Sequence, residues 1–249
     1  MYYAETFRTK WHDTDADGRM RPSALVTYMQ ETANLQLRAC GCDVDSLHHD
    51  RRMGFLLSRM ALRIDKPLHA YEDIEVRTWC PPSRALTFLR CFSVHRGGET
   101  VALALSHWGL MNLETGKLMR VTEFPDECFP VGEMPDESLL PHRVHIPVGT
   151  VMGKVGERRI VYSDLDFNRH MNNTKYPDMI CDFLPDMQGR RVRSLAISYL
   201  REAAYGDVLS VLRAPVKHED GSEGYLLRTV RADGTVCLEA EVVLSTTNA

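Results

Sequence analysis

The stretch that decides the fold is "DTDADGRMRPS", Asp13 to Ser23, laid over "DLDFNRHMNNT", Asp164 to Thr174. Taken alone, the first resembles the opening of a calcium loop, with Asp13, Asp15 and Asp17 alternating and Gly18 following. An EF-hand loop wants oxygen ligands at positions 1, 3 and 5, glycine at 6 and a bidentate glutamate at 12. With Asp13 at position 1, position 12 is Ala24, and Arg21 and Pro22 fill positions 9 and 10. The cage lacks its main ligand and gains a guanidinium, so calcium does not explain the spacing. An offset of 151 residues (164 − 13) does. It lays Asp13 on Asp164, Asp15 on Asp166, Asp17 on Asn168, Arg19 on His170 and Met20 on Met171 without a gap. The acidic run reads as the diverged twin of a segment in which Asp, Asn and His alternate, and the chain as an internal duplication.

The rest of the chain fits two copies of one plan. Each half has a short strand, an Asp-rich turn, a helix and then several strands. In the first half, Pro22 suits a first helical position, and Val26, Met29, Ala33, Leu37 and Cys40 recur at spacings of 3 or 4 before Gly41. The spacing predicts an amphipathic helix of about 18 residues. "MALRID", "DIEVRTWC", "ALTFLRCFSVHR" and "TVALALSHWGLMNL" read as strands, with "HRGGE" as a hairpin turn. In the second half "RRIVYSD" reads as the opening strand and "NNTKYPDMICDFL" as the helix. Four more strands follow in "SLAISYL", "DVLSVLRAPV", "GYLLRTVRA" and "TVCLEAEVVLST". Between Pro125 and Pro147 a proline recurs every five or six residues, which breaks helices and strands alike. The expected organisation is therefore α+β: a first domain over 1–124, an interdomain linker over 125–147 and a second domain over 148–249.

A second register lays "HAYEDIEV" on "AAYGDVLSV", with Ala70 on Ala204, Tyr71 on Tyr205 and Asp73 on Asp207. It places Leu68 opposite Glu202. The second half then holds Asn, His and Glu where the first holds Asp, Arg and Leu, so a single active site belongs to the second half.

Composition narrows the class. Hydrophobic residues make up 44% and charged residues 26% of 249, ordinary for a globular chain. A net charge of -4 gives no general attraction to nucleic acid or an anionic membrane. No apolar run approaches the roughly 18 residues of a membrane span, and the N-terminus lacks the pattern of a signal peptide, so the expectation is cytoplasmic. Seven scattered cysteines suit reduced thiols, and Cys40 and Cys42 have no second pair to complete a zinc site. Trp11, Trp79 and Trp108 read as core residues. Arg158, Arg159, Arg190, Arg191, Arg193 and Arg201 read as solvent-facing strand charge, with local attraction to an acidic partner as the alternative.

The run "YSDLDFNRHMNN" closely resembles the signature of plant and bacterial acyl-acyl-carrier-protein thioesterases, Ser-Asp-Leu-Asp-x-Asn-x-His-x-Asn-Asn. Ser163, Asp164, Leu165, Asp166, Asn168, His170, Asn172 and Asn173 match every fixed position. A second family segment, around Tyr-x-Arg-Glu-Cys, is echoed by "YLREAAYGD". The resemblance implies two tandem hotdog domains, each a long helix on an antiparallel sheet, with the acyl pocket in the first. It also implies hydrolysis of the thioester between a fatty acyl chain and the phosphopantetheine arm of acyl carrier protein, without cofactor or metal. Asp166, Asn168, His170 and Glu202 are the catalytic set it implies. Ala203 stands where many relatives carry cysteine, so a mechanism using that cysteine as nucleophile cannot operate here.

The chemistry agrees with the residue types. A thiol of pKa about 8.5 leaves readily, so hydrolysis needs an activated water and a stabilised oxyanion more than a general acid. Glu202 or Asp166 can serve as base. The expectation gives Glu202 the water, His170 and Asp166 its orientation and polarisation, and Asn168 the carbonyl or the water. A helix starting near Asn173 would aim its free N–H groups at the developing charge, and Asn172 or Asn173 supplies its cap. An acyl-coenzyme A thioesterase using the same site, a hotdog hydratase and a non-catalytic acyl-carrier-binding module are the rival readings. A homodimer is compatible with all of them.

Overall fold

The computed structural model describes residues 1–82, 86–125, 128–218 and 220–246. The chain divides into two compact units, Met1–Met20 with Ala24–Pro141 and Arg21–Ser23 with His142–Ala249. The first contains β1 (Tyr3–Arg8), α1 (Pro22–Ala39), β2 (Met53–Ile64), β3 (Asp73–Trp79), β4 (Thr87–Arg96), β5 (Glu99–Asn112) and the short β6 (Lys117–Met119). Its strands run antiparallel in the order β1-β3-β4-β5-β2, with β6 on β5. The second contains β7 (Gly153–Arg159), α2 (Tyr176–Asp182), β8 (Arg190–Tyr199), β9 (Val208–Lys217), β10 (Glu223–Val230) and β11 (Val236–Thr246). Their order, β7-β9-β10-β11-β8, is the same order repeated.

Alternation writes the sheets. Along β3, Ile74, Val76 and Thr78 are buried while Glu75 and Arg77 are partly exposed, the two-residue period of a pleated strand with one covered face. Gly97 and Gly98 turn the β4–β5 hairpin at φ of 57° and 84°, a conformation only glycine adopts without strain. Pro215 sits where the pairing of β9 with β7 has ended, at Arg213, so this end of the strand is an edge on that side while it stays in register with Tyr225 of β10 on the other.

The first helix is the 18 residues its spacing predicts. It ends in a Schellman motif. Cys42 N–H donates to Leu37 O at 2.9 Å, Gly41 N–H donates to Arg38 O at 3.0 Å, and Gly41 sits at φ 70°. Leu25, Val26, Met29, Ala33 and Leu37 are buried on one face. Leu37 joins Phe88 of β4, Leu110 of β5 and Phe124 in the core, each such side chain contributing about 1.5–3 kcal/mol of burial. A buried arginine shares this interior. Arg90 of β4 donates to Gln36 Oε1 of α1 at 3.0 Å and Thr78 Oγ1 at 3.2 Å and lies over the Phe129 ring at 5.1 Å. Burial lowers its pKa, opposed by the nearby sulfurs of Cys80, Cys40 and Cys91.

Several expectations need correction. The second helix is not long: α2 has seven residues, preceded by a 3-10 turn over Asn173–Lys175. Pro185 explains the stop, since the residue before a proline is pushed out of helical backbone. "RRIVYSD" is not one strand. β7 ends at Arg159, Ile160 N–H turns to Asp207 O at 2.9 Å, and Tyr162–Asp164 form a 3-10 turn. The proline-rich segment is held against the first unit as far as Pro141. Val131 pairs with Cys80, Trp79 Nε1–H donates to Glu133 O at 2.7 Å, and Asp136 pairs with Arg63. Asp126 and Glu127 of that segment, and Ala85 at the head of an expected strand, lie outside the described residues. Trp11 is 61% exposed rather than core, whereas Trp79 and Trp108 are partly buried. All seven cysteines are free thiols. Among the described residues no helix is long and apolar enough to cross a membrane.

Candidate active site

The Asp-x-Asn-x-His segment of the second unit is a tight, self-bonded loop. Asp166 Oδ1 accepts Asn168 N–H at 2.8 Å, Arg169 N–H donates to Asp166 O at 3.0 Å, and Asp166 N–H donates to His170 O at 2.9 Å. Closing that loop forces Arg169 to a φ of 64°. Met171 N–H then donates to Ala203 O at 2.8 Å, and His170 pairs with Ala204 as an isolated bridge. This stitch brings the loop after β8 alongside the loop after β7. His170 Nδ1 consequently lies 3.2 Å from Glu202 Oε2, joining residues 32 positions apart in the chain (202 − 170). The side chains are 35% and 53% exposed, open enough for substrate to reach them. A carboxylate at that distance can accept from Nδ1–H, the tautomer whose lone pair is on Nε2.

Neighbouring groups fix each partner. Arg231 Nη2 donates to the Glu202 carbonyl at 2.8 Å, and its Nε donates to Cys237 Sγ at 3.3 Å and lies 3.6 Å from Asp207 Oδ2. Asp207 Oδ2 in turn accepts Ala204 N–H at 2.9 Å. Asp164, buried, pairs with Arg158 at 2.6 Å and accepts Val161 N–H. It holds the loop from below and belongs to structure rather than chemistry. Asn172, not Asn173, is the cap, with its Oδ1 accepting both Thr174 N–H and Thr174 Oγ1–H at 2.9 Å. That cap consumes an N–H that the expected oxyanion site at this helix start would have used. Cys237 is buried, and Ala203, where relatives carry cysteine, is fully buried. Among the described residues no cluster of His, Cys, Asp and Glu is fit to hold a metal ion.

Of the four expected site residues, His170 and Glu202 touch directly, while Asp166 and Asn168 are brought into the same loop through backbone contacts. Asn168 is exposed.

The first unit repeats most of this architecture, with one further bond to its loop aspartate. Asp15 Oδ1 accepts the N–H groups of Asp17 and Arg19 at 2.9 Å, and Asp15 N–H donates to Arg19 O. Gly18 takes the left-handed position at φ 75°. Met20 N–H donates to Leu68 O, and Arg19 bridges to His69. Those contacts correct the second register by one residue. Leu68 corresponds to Ala203 and Glu72 to Asp207, an offset of 135 (203 − 68), so Glu202 lies opposite Pro67 rather than Leu68. The guanidinium clamp agrees, since Arg96 Nη1 donates to Pro67 O at 3.1 Å and pairs with Glu72 at 3.0 Å, as Arg231 does with Glu202 and Asp207. The shared Ala-Tyr pair, Ala70–Tyr71 against Ala204–Tyr205, masks this shift in the sequence. In the corrected register the first unit has arginine and proline where the second has histidine and glutamate.

Comparison with known proteins agrees with the geometry. Residues 1–127 match the family pattern described as the acyl-ACP thioesterase N-terminal domain, and residues 153–243 match its C-terminal domain. A palmitoyl-acyl carrier protein thioesterase of Arabidopsis thaliana is 25% identical over 86% of the chain, which spans 55% of that relative's length. An acyl-ACP thioesterase from Bacteroides thetaiotaomicron superposes with a TM-score of 0.82 at 23% identity, covering 98% of each chain. A 12:0-ACP thioesterase from Umbellularia californica gives 0.84 at 19% identity, covering 98% of this chain and 94% of its own. At these identities the two structures establish the fold, a largely antiparallel hotdog-like architecture. The family patterns, matched in order across most of the sequence, establish more: the chain belongs to the acyl-acyl-carrier-protein thioesterase family.

Proposed function

We propose that the protein hydrolyses fatty acyl-acyl carrier protein, releasing free fatty acid and the carrier's thiol. The observation that carries this reading is the 3.2 Å contact between His170 Nδ1 and Glu202 Oε2, set in the second unit beside the family's Asp-x-Asn-x-His loop. A histidine held through Nδ1 by a carboxylate presents Nε2 as a base, the orienting logic of base–carboxylate pairs in acyl transfer. In this reading Glu202 orients His170 rather than taking the water's proton itself, which differs from the role of base expected of it from the residue pattern. Water attacks the thioester carbonyl carbon as Nε2 takes its proton. The C–S bond then breaks, and the departing pantetheine thiolate recovers that proton from the imidazolium. Asp166 and Asn168 flank the pair and supply the polar wall for carbonyl or water.

The reading includes two tandem hotdog domains, residues 1–124 housing the acyl chain and residues 148–249 carrying the chemistry. It also includes a cytoplasmic setting and an acidic carrier protein as partner. The test is thiol release from a panel of acyl-carrier-protein thioesters and the matching coenzyme A thioesters, with His170→Ala and Glu202→Ala in parallel. Release from carrier-protein substrates, lost in both variants, is the expected result. Faster release from coenzyme A thioesters would reassign the substrate, and binding of the carrier without release from any substrate would leave a binding module.

A further inference from the structure

Three sulfurs gather at the C-terminal end of α1 in the first unit. The helix closes at Ala39, and its Schellman turn leaves Cys40 at the surface and returns Cys42 to the interior, where Cys42 is 1% exposed. Cys42 packs there in one core with Leu37, Leu47, Phe88 and Phe124. The chain comes back to this corner 86 residues later, at Cys128. Cys128 N–H donates to Pro125 O at 3.1 Å, and its buried Sγ lies 3.2 Å from Cys42 Sγ.

Side chains of α1 fix residue 128 in that position. Gln36 Nε2 donates to the Cys128 carbonyl, and Gln36 is itself tied through Oε1 to the buried Arg90 at 3.0 Å. Cys40 Sγ donates to the same Cys128 carbonyl at 3.4 Å and to Gln36 O at 3.1 Å. A disulfide bond is about 2.05 Å long, so the sulfurs of Cys42 and Cys128 need to close by only about 1.2 Å, within reach of small side-chain rotations. The three sulfurs do not make a metal site, since among the described residues no cluster of His, Cys, Asp and Glu is fit to hold an ion.

We propose that Cys42 and Cys128 are an oxidisable pair that a peroxide converts to a disulfide, with the exposed Cys40 as the thiol that meets the oxidant. The proposal concerns the first unit and is independent of the chemistry assigned to His170. Burial raises the pKa of Cys128, and the thiols of Cys42 and Cys40 add to the rise. The thiolate is the attacking form, so Cys128 is a poor first nucleophile, whereas Cys40 is open to solvent and touches residue 128. The Cys40 sulfur takes one oxygen from hydrogen peroxide, giving a sulfenic acid and one water. Cys128 sulfur attacks the Cys40 sulfur, and the hydroxyl leaves with the thiol proton as a second water. Cys42 sulfur then attacks Cys128 sulfur and expels Cys40, which takes up the Cys42 proton. Two thiols are oxidised, one peroxide is reduced to two waters, and Cys40 is regenerated. The bond closes a long loop from the end of α1 to the segment beyond Phe124, and such a link stabilises chiefly by restricting the unfolded chain.

The experiment oxidises the reduced full chain with hydrogen peroxide, blocks the remaining thiols with iodoacetamide in denaturant and maps every cysteine by peptide mass spectrometry. The expected result is the Cys42 and Cys128 peptides joined, Cys40 free at the end point, and reversal by dithiothreitol. The midpoint of thermal unfolding should rise by roughly 5–15 °C on oxidation, and the rise should vanish in Cys128→Ala. Cys40→Ser should slow the joining by about 10-fold or more with the same end point, since a thiol whose pKa is raised by one holds about tenfold less thiolate. Cys42 and Cys128 alkylated separately while Cys40 is oxidised, or Cys40 left joined to another cysteine, would overturn the proposal. A joined pair with an unmoved midpoint would overturn its stabilising effect, and an unchanged rate in Cys40→Ser would overturn the relay. Mapping the wild-type chain requires no variant to fold, so the central claim stands or falls without Cys128→Ala.

Discussion

The loop Asp13–Met20 and the loop Asp164–Met171 share most of their turn hydrogen bonds, a left-handed residue at the same position and an arginine clamp on the facing strand connection, yet they present different ionisable side chains. In the first, Arg19 is buried and lies 3.3 Å from Asp17 Oδ2. In the second, a partly exposed histidine faces a glutamate. The comparison separates scaffold from chemistry: Asp15 and Asp166 each bond the backbone of their own loop, so an aspartate is needed here to make the turn whether or not catalysis occurs. What distinguishes the sites is two side chains on the rim.

Importing the first unit's residues into the second tests that separation. His170→Arg should show the largest effect, abolishing thiol release by roughly 10²–10⁴-fold, the range general acid–base catalysis contributes. Its midpoint of thermal unfolding should stay close to wild type, since Arg19 fits the equivalent loop; a collapse in stability would mean the scaffolds are less alike than their bonds suggest. Glu202→Gln should lower kcat by about 10²-fold. Its stability should change by no more than about 1 kcal/mol in urea titration, because an ion pair this exposed contributes little to folding. Near-normal turnover would remove Glu202 from the mechanism.

Smaller effects probe what each unit uses for stability. Gln36→Leu takes the acceptor from buried Arg90 in the first unit and should cost about 1–3 kcal/mol, read as a shift in the denaturation midpoint without loss of kcat. Asn172→Ala removes the cap of the 3-10 turn that leads into the second helix and should cost about 1 kcal/mol. The smallest change is Arg169→Gly, which copies Gly18. Relief of left-handed strain, about 1–2 kcal/mol, is largely offset by the extra chain entropy glycine loses on folding, so the net gain should stay under about 1 kcal/mol. A larger gain in calorimetry would show that the loop stores strain that its twin does not.

The site was more legible than the fold details around it. His170 and Asp166 stand in a run whose residue types repeat every second position, and that pattern survives without coordinates. Glu202 was reachable only because the second half repeats the first, and even then its counterpart was placed at Leu68 instead of Pro67. A one-residue shift between copies carries no signature until backbone bonds such as Met20 to Leu68 O and Met171 to Ala203 O show which residues are equivalent.

By itself the sequence determined the duplication, the strand and helix content and the half that holds the ionisable groups, because these depend on local spacing: a period of two, recurrences of 3 or 4, and an Asp-x-Asn-x-His run. Only the tertiary structure decided that His170 meets Glu202 through Nδ1, that Asn172 rather than Asn173 caps the 3-10 turn before α2, that Trp11 faces solvent, and that the proline-rich stretch packs along the first unit up to Pro141. Each of these is a contact between residues far apart in the chain or a choice between neighbours of the same type. Local composition is degenerate for such choices, and the closing of the loops and sheets is what selects among them.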